Sequence, residues 1–149
     1  MDIRKLSPQM SVSPQIHPQH MQILVDSGYK VVINNRPDGE SADQPLSSDL
    51  EDAAKAVGLV YHHIPMSPGR LDDETIAAFK HATESLTGPV HAFCRSGTRS
   101  ATLWAHAQAH QRNIDTILEA CAAVGYDLGA HRPHLEARAS RAASSKSGA

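Results

Sequence analysis

The stretch of this chain best suited to covalent chemistry is Cys94-Arg95-Ser96-Gly97-Thr98-Arg99-Ser100, a cysteine followed by two arginines, a glycine and three hydroxyl side chains. Thiolates are the nucleophilic form of cysteine, and helix N-termini and guanidinium groups favour them. A turn of small residues lets successive backbone N–H groups face inward, so the loop reads as a concave anion site at the start of a helix. Gly97 permits the tight backbone path. Arg99 offers a two-pronged fork to a tetrahedral oxyanion such as phosphate or thiosulfate. Ser96, Thr98 and Ser100 add hydroxyl donors, and Arg95 steers anions at the rim. Cys94 as nucleophile and Arg99 as anion clamp form the expected catalytic pair.

Other reactive residue types are more scattered. Arg36-Pro37-Asp38-Gly39-Glu40 follows a predicted strand, and either Arg36, as an anion ligand, or Glu40 would organise the cysteine loop from a neighbouring strand end. The chain has ten histidines, but no three or four of them converge by spacing, so no metal site and no cofactor are expected. His62 and His63 alternate faces on a strand, and His131 with His134 is a lone pair at helical spacing. His91 reads as a satisfied strand residue. Cys121 lies in an apolar helical stretch and reads as a buried small hydrophobe, with no disulfide to Cys94. Neither a triphosphate-binding glycine-lysine loop nor a dinucleotide fingerprint is present.

Stepping outward, a parallel sheet with crossover helices would place such a loop. Predicted strands at Ser11–Ser13, Lys30–Asn35, Leu59–Pro65 and Val90–Phe93 alternate with helices over His17–Ser27, Ser48–Val57, Asp72 towards Leu86, and Ala101–His110. Further helices over Ile114–Val124 and Gly129–Ala143 complete an α/β class, a parallel sheet flanked by helices. With 149 residues, one catalytic domain over 1–143 is expected, followed by a disordered tail over 144–149. A net charge of -2 gives no footprint for nucleic acid or an anionic membrane. The N-terminus lacks the apolar stretch of a signal peptide, so a cytoplasmic setting is expected.

Three segments carry a resemblance: Ser11-Val12-Ser13-Pro14-Gln15-Ile16, Val32-Ile33-Asn34-Asn35-Arg36-Pro37-Asp38-Gly39-Glu40, and the cysteine loop. Together, over about residues 3 to 125, they resemble the DUF442 family of beta-lactamase hydrolase-like protein, phosphatase-like domains, found alone or fused to sulfide-oxidising enzymes. The resemblance implies a fold similar to dual-specificity protein tyrosine phosphatases. The chain departs from the phosphatase pattern in three ways. Four residues separate Cys94 from Arg99 where such phosphatases have five. Phe93 replaces the histidine before the cysteine, and the loop Pro65-Met66-Ser67-Pro68-Gly69-Arg70 has no aspartate to act as general acid, Asp72 and Asp73 being committed to the next helix start.

The loop itself is similar to that of rhodanese sulfurtransferases, whose cysteine carries a persulfide and whose leaving groups need no acid. The expected function is therefore sulfur transfer through a Cys94 persulfide, from a small anionic sulfur donor to a low-molecular-weight thiol, with sulfide-oxidising enzymes as implied partners. A phosphatase acting through phosphocysteine is the alternative, and a redox-sensing or anion-binding module the third reading.

Overall fold

In the computed structural model, which describes residues 1–84 and 88–147, the strands are β1 (Arg4–Ser7), β2 (Met10–Ser13), β3 (Val31–Asn34), β4 (Val60–His63) and β5 (Val90–Phe93). They form one sheet in the order β1-β2-β5-β3-β4. The runs at β3 and β5 are buried at every position, as a strand covered on both faces requires. β2, β5, β3 and β4 are parallel, and their registers match Ser13 with Phe93, Phe93 with Asn34, and Asn34 with His63. All four strands thus end at one edge of the sheet. The loop after each opens on that edge, where an α/β sheet binds its ligands.

Helices cover both faces. One layer holds α1 (Met21–Asp26) and α2 (Ser47–Ala56), whose Met21, Leu24, Leu50 and Ala54 pack with Val32 and Phe93. The other holds α3 (Asp73–Glu84), α4 (Thr98–Gln108), α5 (Ile114–Ala123) and α6 (Arg132–Ser147), contributing Phe79, Leu103, Ile117 and Leu135 against Val31, Ile33, Val90 and Ala92. The two-residue period of the strands divides the sheet between these cores. α4 is buried continuously from Ser100 to Ala107, so the element that begins at the cysteine loop is the central helix of its layer.

The predicted α/β class and parallel sheet are present, with four differences. β1 pairs antiparallel with β2; only a short, charged edge strand was there to be read, and it lacks a clean alternation. The predicted helix over His17–Ser27 is a 3-10 turn at Pro18–His20 followed by α1, since Pro18 removes a helical N–H donor. α4 starts at Thr98, three residues before the predicted Ala101, which puts Arg99 and Ser100 in its first turn. α6 continues to Ser147 across most of the expected tail, a stretch with no glycine or proline; Gly148 and Ala149 lie outside the described residues, as does the predicted α3 end at Leu86. No described helix is long and apolar enough to cross a membrane.

Candidate active site

Cys94 follows β5 directly and is wholly buried. The Gly97 N–H donates to its Sγ at 3.1 Å, so a loop amide already points at the sulfur. Gly97 is the N-cap of α4, with φ +95, a left-handed conformation that glycine adopts without a Cβ penalty. A Cβ there would collide with the Tyr126 hydroxyl and lie 3.2 Å from the Ser13 carbonyl carbon. The loop is clamped from both sides: Tyr126 donates its hydroxyl to the Ser96 carbonyl at 2.9 Å, and the Gln15 N–H donates to the Arg95 carbonyl at 3.2 Å.

Arg99 is fixed by two acceptors. Its Nη1 donates to Glu40 Oε2 at 2.9 Å and to the Met66 carbonyl at 2.8 Å, while Nη2 donates to Glu40 Oε1 at 2.9 Å. Burial disfavours the Arg99 charge, but Glu40 and Cys94 more than compensate, and its pKa is raised. Glu40 is held below the usual carboxylate range by Arg99 first and by Arg36 as well, against the opposing effect of burial.

Arg36 corrects an expectation. Read from sequence as an anion ligand, it is only 4% exposed, and each of its nitrogens has a protein acceptor: Nε on Glu40 Oε1 at 2.8 Å, Nη1 on Gln15 Oε1 at 3.0 Å and Nη2 on Ser41 Oγ at 3.3 Å. It is a positioning residue, and Glu40 is the group that links it to Arg99. Ser100 differs in a similar way. Its buried hydroxyl donates to Asn35 Oδ1 at 2.8 Å, while Asn35 Nδ2 donates to the Ile64 carbonyl at 2.9 Å. That chain ties the first turn of α4 to the ends of β3 and β4. Arg95 is exposed and lines a separate recess of about 260 Å³ with Gln15, His17 and Arg36, whereas Ser96, Thr98 and Arg99 face the principal cavity.

That cavity measures about 520 Å³ and is walled by Met66, Pro68, Gly69 and Leu71 from the loop after β4, and by Thr102, His106, His131, His134 and Arg138 beyond the cysteine loop. Among the described residues, no aspartate or glutamate lines it. Asp72 caps α3, accepting from the Thr75 N–H at 2.7 Å, and Asp73 accepts from Arg138 Nη1 at 2.7 Å. Asp72 is thus engaged in the helix start, as its position predicts, whereas the Asp73 carboxylate, expected there too, is spent on Arg138 of α6.

The remaining candidates are structural. Ser13 donates its hydroxyl to the Pro14 carbonyl and so accepts from His91 Nε2 at 2.8 Å, which leaves Nδ1 to accept from Ser11 at 2.6 Å. Both ring nitrogens are thereby occupied, and burial pushes the His91 pKa down to about 3. Cys121 is a buried free thiol that burial pushes up to about 12. Among the described residues, no group of three or more histidines, cysteines or carboxylates could hold a metal ion.

The chain and its fold have known counterparts. Residues 2–111 match the family described as "Beta-lactamase hydrolase-like protein, phosphatase-like domain". The chain belongs to that family. It is 30% identical over 141 residues to the beta-lactamase hydrolase-like protein of Xylella fastidiosa, an alignment covering 93% of this chain and 33% of the relative. It spans about a third or less of the length of the curated relatives it matches. Among solved structures, a candidate phosphatase from Neisseria meningitidis superposes with a TM-score of 0.81 at 28% identity, covering 93% of this chain and 99% of the other. Tk-PTP superposes with a TM-score of 0.70 at 14% identity over 93% and 95% of the two chains, a likeness of fold alone. The fold is thus that of the protein tyrosine phosphatase-like structures, and the domain is a member of the phosphatase-like family.

Proposed function

We propose that this domain of the phosphatase-like family is a cysteine-dependent phosphohydrolase. The observation that carries the reading is the Gly97 N–H directed at Cys94 Sγ at 3.1 Å, in a helix-capping loop whose Arg99 is aligned by both oxygens of Glu40. In the first step the Cys94 thiolate attacks phosphorus, the S–P bond forms, and the bond to the leaving oxygen breaks. Loop amides and the Arg99 fork stabilise charge on the three equatorial oxygens. In the second step water attacks the phosphocysteine, phosphate departs and the thiolate returns. With no carboxylate lining the cavity among the described residues, the leaving oxygen goes without a carboxylic acid to protonate it. Aryl phosphates, acyl phosphates and phosphoanhydrides, whose leaving oxygens are weakly basic, suit that wall better than alkyl phosphates.

Sulfur transfer is a second reading, favoured by the short four-residue spacing and by the same lack of an acid. It replaces S–P bond formation with attack of Cys94 on a sulfane sulfur, expelling sulfite or a thiolate and leaving a persulfide. One comparison separates the two: phosphate release from an aryl phosphate, and intact mass after incubation with thiosulfate, each for wild type and Cys94→Ser. Phosphate release that falls by about 10³-fold or more in the variant, with no sulfur adduct, upholds the phosphohydrolase. A one-sulfur adduct that vanishes in the variant, with no phosphate release by either protein, overturns it in favour of sulfur transfer.

A further inference from the structure

The principal cavity is much larger than one tetrahedral anion requires; about 520 Å³ is the size of a site for a whole small organic molecule. Its near end is the cysteine loop, through Ser96, Thr98 and Arg99, and its far end is built from His106, His131, His134 and Arg138. The far end is a wired arrangement. Arg138 Nε donates to His106 Nδ1 at 2.7 Å, and a guanidinium has no lone pair to accept with, so the neutral His106 ring carries its proton on Nε2. That proton points to His131 Nδ1, 3.1 Å away. His131 must then accept at Nδ1 and carry its own proton on Nε2. Burial together with the Arg138 charge keeps His106 neutral, its pKa pushed down to about 4, which preserves this direction of donation.

The wiring leaves donors without protein acceptors. His131 Nε2 has no hydrogen-bond partner among the described residues, nor does either ring nitrogen of the exposed His134, and Arg138 spends one terminal nitrogen on Asp73 while Nη2 has none. The carboxylate paired with Arg138, that of Asp73, lies outside the lining of the principal cavity, in the neighbouring recess with Arg141. The cavity therefore has the Arg99 clamp at one end, a donor-rich cluster of neutral histidines with the Arg138 guanidinium at the other, and the apolar side chains of Met66, Pro68 and Leu71 in its lining.

We propose that this histidine–arginine end is a second anion subsite, selecting substrates that carry an acidic group, a carboxylate or a second phosphoryl, across a small organic body from the group held at the cysteine loop. The proposal rests on the phosphohydrolase reading only for the identity of the first anion. Its test is a binding measurement that needs no turnover.

Cys94→Ser protein is titrated calorimetrically with phenyl phosphate and with 3- and 4-carboxyphenyl phosphate. At least one carboxylated ligand binds about tenfold or more tightly than phenyl phosphate, as a hydrogen-bonded charge contact implies. The advantage falls to within about twofold when His131→Gln and His134→Gln are added. These two residues are at least partly exposed, so their replacement spares the core, whereas Arg138 also holds Asp73 and His106 and is left in place. Equal affinity for all three ligands overturns the subsite, as does an advantage that survives the histidine replacements. Absence of turnover by wild type with any of the three defeats the phosphohydrolase alone.

Discussion

Glu40 serves two guanidinium groups with one carboxylate, and its geometry makes Arg99 the more tightly held: two parallel bonds of 2.9 Å to Arg99 against one of 2.8 Å to Arg36. A bidentate pair fixes the plane of the fork as well as its distance, so Glu40 decides where Arg99 meets an oxyanion. Glu40→Gln keeps one acceptor oxygen but loses the charge and half of the bidentate contact. It is expected to lower kcat/KM by about 10² and to weaken vanadate inhibition in parallel. Unchanged kcat/KM with a lowered Tm would reduce Glu40 to a purely structural role. Cys94 and Arg99 were legible in the sequence because their chemistry is contained in one loop. Glu40 was legible only as one of two residues, with Arg36, that would organise the cysteine loop; its direct pairing with Arg99 was not, since Arg36 stands four residues away and Arg99 fifty-nine, and spacing alone favours the nearer ion pair. Arg36 itself misled for the same reason: nothing local shows that Gln15 and Ser41 will occupy its remaining nitrogens.

The elements around the site act through their common edge. Because β2, β3 and β5 end in register, Gln15, Asn35 and the cysteine loop arrive within hydrogen-bonding reach of one another without any long connection. β5 was readable with its final boundaries, as a short apolar run after Gly88-Pro89, but the start of α4 was not. Thr98, Arg99 and Ser100 resemble loop residues by type, because short hydroxyl side chains compete for backbone partners; their place in the first turn follows from Gly97, whose φ of +95 turns the chain into the helix. Gly97→Ala meets both that conformation and the Tyr126 hydroxyl. Tyr126→Phe removes the obstructing oxygen at a cost of about 1 kcal/mol for the lost bond to Ser96. The double variant Gly97→Ala/Tyr126→Phe should therefore recover part of the stability lost in Gly97→Ala, with about 1–2 kcal/mol of left-handed strain remaining beside a close approach of the ring carbon Cζ at 2.8 Å. Urea unfolding of the four proteins checks this, and a double variant less stable than Gly97→Ala would contradict the collision.

At the scale of the whole molecule, the sheet is sealed on both faces, and that seal has an acid-side consequence. His91, in the middle of β5, lies between Ser11 and Ser13 with its ring edge-on to Tyr29 at 5.7 Å; the residue type gave no warning that it would be fully buried and neutral. Folded, it protonates only near pH 3 because burial penalises the charge, whereas in the unfolded chain it titrates near the ordinary 6.5. As pH falls below 6.5 the unfolded state takes up the proton first. The stability associated with neutral His91 is thus fully present above about pH 6.5 and is lost progressively down to about pH 3, by up to about 1.4 kcal/mol per unit. His106, pushed down to about 4, acts in the same direction over the upper part of that window. Against a total stability of about 5–15 kcal/mol for an ordinary domain, the loss at these two rings is a large share, and it adds to that of carboxylates held low by their partners, Glu40 among them. Unfolding free energies measured in urea at pH 7.5, 6.0 and 5.0 should fall steadily. His91→Gln, which cannot titrate, should begin from a lower value at pH 7.5 and decline less steeply. A slope identical to that of wild type would place the acid sensitivity elsewhere than in the centre of the sheet.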